Sequence, residues 1–359
     1  MRSVSLCLFV TVLVLAMPAS PTADDTIYSY PPTPLSNFPA YERSAIEGRR
    51  WELSIRPFIG YNDNVPMVPY KTGCQQDCTK ASFYGGVSIS GNFRLLQTDQ
   101  WLAGVGLNFD QVGYTRHTGP GCCSTDGDDY NLTAVSPNMF ARYFFGLQVG
   151  DFRRVMPSSV GMTYSYRRDW TRIVGPLIWH TAINTVQWDL AVDVLRQLRM
   201  GLNYSVAFSD LNRGGRLGAA FNSRDTTGYL VGLNGTYFFQ GGLRSITLDY
   251  HLGTTDARGN KFDIPFTNGL KGRFQTQVVG PLWLALDAGS SWDKYRGKTF
   301  AGVGTRRWQR TEKYRGTLLY SLTDHITADV FYEYTGWVAN QREFGGNRNN
   351  GGAGVTYRF

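Results

Sequence analysis

Few residues in this chain carry reactive chemistry. Its 359 residues include only four histidines. One of them, His251, stands two positions after Asp249, so on an extended strand the two side chains share a face. An Asp/His pair of that kind can activate water, and it is equally a polar contact within a wall. His117 and His180 fall in stretches read below as outer loops, and His325 falls in a short turn. No Gly-x-Ser-x-Gly, phosphate loop or His-Glu-x-x-His motif is present. The expectation is a protein that is not an enzyme and holds no cofactor and no metal.

Cysteine supplies the other candidates. Cys7 lies within an N-terminal leader, which leaves Cys74, Cys78, Cys122 and Cys123. An even number in an exported chain reads as disulfides. Four thiolates in a Cys-x3-Cys plus Cys-Cys arrangement also suit zinc, but irregular spacing in loops favours disulfides. A bond within the vicinal pair is strained, so pairing between the two loops is favoured over local closure.

The leader itself is a processing segment. Arg2 is its basic start, 6–16 is apolar but too short to span a membrane, and small residues place cleavage after Ala19 or Ala23. Residues 1–23 are therefore read as a signal peptide. Residues 24–50, with Pro31, Pro32, Pro34 and Pro39, are read as an extended periplasmic lead-in. Removing Arg2 takes the formal net charge from +8 to +7, so the basicity belongs to the mature chain. No Lys/Arg run or basic helix accompanies it, which argues against nucleic acid.

What must position any functional residue is a succession of strands. The chain has 41 Gly, 21 Tyr, 21 Phe and 9 Trp, yet its mean hydropathy is only -0.27. Beyond the leader nothing approaches the roughly 20 apolar residues of a spanning helix. From Trp51 onward, apolar and polar residues alternate: Trp51, Leu53, Ile55 and Ile59 against Glu52, Ser54, Arg56 and Gly60. The pattern recurs through to the terminal Val355, Tyr357 and Phe359, giving about fourteen strands over residues 51–359. Alternation with one face in lipid and one in water is the signature of a transmembrane antiparallel up-and-down β-barrel. Connections alternate short (97–100, 196–197, 240–242, 280–281, 321–324) and long (116–129, 210–226, 255–268, 296–305, 336–346), with 146–159 the exception. A β-sandwich would not keep that rhythm.

If the apolar set faces lipid, the polar set lines the interior. Its basic members include Arg56, Arg94, Lys271, Arg273, Lys313 and Arg315, with Arg142, Arg167 and Arg199. Its acidic members include Asp189, Asp193, Asp287, Asp293, Asp329 and Glu333. Strands ten to thirteen run basic, acidic, basic, acidic, so neighbouring strands can pair their charges. A basic stripe on strands one to five would favour anionic solutes in a water-filled lumen. About fourteen strands implies a narrow or partly obstructed one.

The last strand also carries a family likeness. Gly354, Tyr357 and Phe359 resemble the Gly, then aromatic-x-aromatic, of the closing strand in bacterial outer-membrane β-barrels. That resemblance implies an outer-membrane address, lipid and lipopolysaccharide as surroundings, and reading of this strand by the barrel-assembly machinery. The run Gly60-Tyr-Asn-Asp-Asn-Val65 is similar to the first strand of barrels behind tetratricopeptide repeats, including surface lipoprotein assembly modifiers, although no repeat domain is present here. Three functions follow as expectations: a channel for small hydrophilic, anionic solutes; a secretion or surface-assembly barrel for lipoprotein or polymer; and a structural or adhesive barrel displaying stapled loops. Oligomeric state is left open.

Overall fold

The computed structural model describes residues 50–63, 81–98, 100–115, 131–148, 156–172, 178–195, 197–213, 225–239, 242–257, 263–295, 307–340 and 345–359. The expected leader, nearly all of the lead-in and all four candidate disulfide cysteines lie outside these residues. The elements are fourteen strands: β1 (Trp51–Asn62), β2 (Ser82–Gln97), β3 (Trp101–Tyr114), β4 (Leu132–Leu147), β5 (Met156–Arg172), β6 (Ile178–Leu195), β7 (Leu198–Arg213), β8 (Thr226–Phe239), β9 (Arg244–Ala257), β10 (Ile264–Val279), β11 (Leu282–Lys294), β12 (Trp308–Ser321), β13 (Ile326–Ala339) and β14 (Gly346–Arg358). Each pairs antiparallel with its sequence neighbour, and β14 returns to β1, closing the barrel. Ser54 stands opposite Arg358 and Asn62 opposite Asn350, and the Phe359 amide donates to the Leu53 carbonyl at 2.9 Å.

Closure is what allows these strands to exist in lipid, because no strand edge is left with unpaired N–H and C=O groups. The outer surface follows the alternation: Ile59, Phe83, Leu107, Met139, Leu233, Leu248 and Val330 are all exposed, Ile59 by 70%. A soluble protein does not present so continuous an apolar surface. Aromatic pairs mark both margins, Trp101 with Tyr143 near the short turns and Tyr61 with Phe83 near the long connections. Tight turns close the short end, where Gly242 and Gly280 take φ of 99° and 49°, open to glycine at no steric cost.

Strand limits differ from the sequence reading where chain leaves lipid. The expected fifth strand, 160–166, extends to Met156–Arg172, and β6 begins at Ile178, so the backbone of His180 is strand and not outer loop. Polar residues such as Arg167, Arg168 and Asp169 hide this extension, since above the membrane both faces meet water and alternation fades. The anomalous 146–159 connection narrows from both ends, because β4 runs on to Leu147 and β5 begins at Met156.

Candidate functional site: the lumen wall

Fourteen strands about 4.8 Å apart and tilted about 40° enclose a backbone cylinder about 28 Å across. Whether that space fills depends on how the inward side chains lie. Several lie flat because an inward glycine on the next strand leaves room. A Cβ on Gly60 would sit 2.3 Å from the Tyr84 ring, one on Gly161 2.6 Å from the Asp189 carboxylate, one on Gly269 2.3 Å from the His251 ring, and one on Gly354 2.7 Å from the Arg56 guanidinium. The abundance of glycine in the sequence thus becomes a means of folding long side chains against the wall.

The seam between first and last strands is dry and tightly bonded. Arg56 donates from Nε and Nη2 to the two Asp329 oxygens at 2.9 and 2.6 Å, and both side chains are 3% exposed. This fork reaches from β1 to β13 across Gly354 of β14. Beside it, Glu333 accepts three cations: Lys313 at 3.1 Å, Arg348 at 3.4 Å and Arg315 at 3.6 Å. Tyr84 donates to Asn350 Oδ1 at 2.8 Å. An apolar cluster of Phe58, Tyr84, Val112, Leu132 and Ala134 fills the adjacent inner face of β1–β4. The interior is therefore not purely polar, contrary to the simple rule that the apolar set faces lipid.

Elsewhere the wall is wet. Arg273 donates from Nε to Asp287 at 2.6 Å with both side chains part-exposed, 38% and 29%. Arg199 forks onto Asp193 at 2.6 and 3.0 Å, and Arg142 reaches Asp189 at 2.7 Å. Lys313 keeps 54% of its side chain exposed even while touching Glu333. Lys271, midway along β10, is exposed, and no ion pair reaches it among the described residues. Inward side chains in mid-strand can be exposed only to space inside the barrel.

The alternation between strands ten and thirteen is realised as Arg273–Asp287 and as Lys313 and Arg315 on Glu333. Asp293 departs from it and accepts from Thr267 Oγ1 at 2.6 Å. The basic stripe on strands one to five is not a free positive wall. Arg56, Arg94, Arg142 and Arg167 face Asp329, Glu52, Asp189 and Asp169, in that order. Among the described residues the excess of positive charge lies instead on β10–β14, where no ion pair reaches Lys271 and one carboxylate serves three cations. His251 is buried with Nδ1 3.5 Å from Asp249. Among the described residues no His, Cys, Asp and Glu group forms a metal cage. Sequence reading missed Arg348, because the polar run 346–350 alternates without an apolar partner set.

A closed, edge-free barrel with an apolar outer belt, aromatic margins and a charged interior is a transmembrane β-barrel. No protein-family profile and no curated protein matches it. Among solved structures it is similar to the CymD monoaromatic hydrocarbon channel, at 10% identity and TM-score 0.45 over 86% of this chain and 88% of that one. It is similar also to a loop-deletion mutant of OmpT, an outer membrane protein of Vibrio cholerae, at 10% identity and TM-score 0.45 over 86% and 98%. A Pseudomonas aeruginosa FadL homologue gives 11% identity and TM-score 0.42 over 95% and 98%. At these values the likenesses carry no functional weight.

Proposed function

We propose that the protein is a passive outer-membrane channel for small hydrophilic solutes, with a preference for anions. The observation that carries this reading is the exposure of charged side chains in mid-strand on the inner face, Lys271, Arg273, Asp287 and Lys313 above all. Exposed inner charges need water beside them, and a continuous water path is what conduction requires. The preference for anions follows from the surplus of cations on β10–β14. Tyr357 and Phe359 point outward, 41% and 50% exposed, where the barrel-assembly machinery would read them.

Planar-bilayer recording of the purified barrel tests the reading. Discrete conductance steps are expected, with a reversal potential in a KCl gradient on the chloride side. Absence of steps at every voltage would sink it. The selectivity should weaken between 0.1 M and 1 M salt, because the screening length falls from about 10 Å to about 3 Å.

A further inference from the structure

Lys271 is arranged in a way that pairing within the wall does not explain. Its directly opposed residue on β9 is Asp249, an obvious partner, yet no contact joins the two charges. Asp249 instead faces His251 on its own strand at 3.5 Å. Lys271 leans the other way: its Cγ lies 3.3 Å from where a Cβ on Gly289 would be. Gly289 stands in register between Lys271 on one side and Lys313 on the other. Two lysines therefore flank a position with no side chain, about 10 Å apart at the backbone from two strand spacings. Ser291, the next inward residue of β11, has no hydrogen-bond partner among the described residues. The Lys271 stem thus lies over Gly289, on the side of β10 that faces Lys313 and not on the side of Asp249, an arrangement that makes sense if an anion stands between the two lysines.

Resting on the channel reading above, we propose that this notch is a solute subsite: Gly289 is its floor, Lys271 and Lys313 are its cationic walls, and Ser291 is a hydroxyl donor. Its ligand is a small oxyanion, a carboxylate or a phosphate. Lys313 remains tied to Glu333 on its far side, so it supplies field and Lys271 supplies the direct contact. Lysine is a point charge with rotatable donors and holds an oxyanion without demanding one orientation. Such a site binds weakly enough to release its ligand, as a conducting channel needs.

The test is calorimetric titration of the full detergent-solubilised barrel with inorganic phosphate and, separately, with acetate, using chloride of matched ionic strength as control. Saturable binding is expected for at least one oxyanion and not for chloride, and preference for one identifies the ligand chemistry. Lys271→Gln should weaken it about tenfold or more. Gly289→Val, which fills the notch and keeps every charge, should do the same, while Arg142→Gln on the far wall should leave it unchanged. Each variant is first checked for folded gel mobility before heating. No saturable binding to the wild type, equal binding by Lys271→Gln, or an equal loss in Arg142→Gln overturns the subsite. Conductance steps without oxyanion binding overturn the subsite alone. Saturable binding without steps overturns the channel reading and leaves the site standing.

Discussion

Gly354 is where a structural and an assembly role of the closing strand part company, and substituting it separates them. A Cβ at this position would lie 2.7 Å from Arg56 Nη2 and 2.8 Å from both Cζ and Nε, far inside contact distance. The guanidinium ends a flexible chain and can move, but it is buried and holds Asp329 through bonds of 2.9 and 2.6 Å. Moving it by about an ångström forfeits at least one charge-assisted hydrogen bond, worth about 1.5–3 kcal/mol. Alanine would otherwise gain about 0.5–1 kcal/mol over glycine in a strand. Gly354→Ala should therefore destabilise the barrel by a net of about 1–2 kcal/mol. In an Arg56→Ala, Asp329→Ala background the sign should reverse, since the obstacle and its partner are gone. The assay is urea unfolding and refolding in detergent micelles, where no assembly machinery is present. Equal effects of Gly354→Ala in both backgrounds would refute the packing argument, and a defect seen only in cells would assign Gly354 to the assembly signal.

Further outcomes follow from the same geometry. Gly60→Ala should cost about 1–3 kcal/mol as an overpacked site. Removing the Tyr84 ring should rescue it only in part, because the Gly351 carbonyl also lies 2.6 Å from the new Cβ; the same unfolding assay reads both. Asp329→Ala alone leaves Arg56 buried without its partner and should cost about 3–5 kcal/mol, whereas Arg56→Met with Asp329→Leu should recover most of that loss; equal instability of both would mean the seam is wet. Lys271→Gln should move the reversal potential towards cations without loss of stability, and an unchanged potential would remove Lys271 from the selectivity wall. Asp63 accepts from the Asn349 amide at 2.7 Å and its Nδ2 at 2.5 Å, so Asp63→Ala should speed hydrogen exchange at residues 60–63 and 349–352 while mid-strand amides stay protected.

The run Gly60-Tyr-Asn-Asp-Asn and the terminal strand drew notice in the sequence as family-like patches. In the structure the described part of the first, Gly60–Asp63, and the terminal strand are two sides of one seam. Gly60 admits the Tyr84 ring, Asn62 stands opposite Asn350, and Asp63 latches Asn349. Their recurrence in barrels of one type is thus explicable by closure alone and does not by itself specify a cargo.

Residue order alone determined the strand count and the outward face of the main apolar set, because a period of two is a local property that lipid on one side and water on the other write directly into composition. It also marked strands ten to thirteen as alternating in charge, since antiparallel neighbours joined by short turns have their register set nearby. Only the closed barrel decided that Arg56 belongs to Asp329, 273 positions away, that Glu333 is shared by three cations, and that Lys271 turns from Asp249 towards Gly289. Those choices depend on which strands meet at closure and on where a missing Cβ lets a long side chain lie down. Neither is a property of any window of sequence. The charge left facing the lumen is the remainder after that pairing, and only the tertiary structure performs the subtraction.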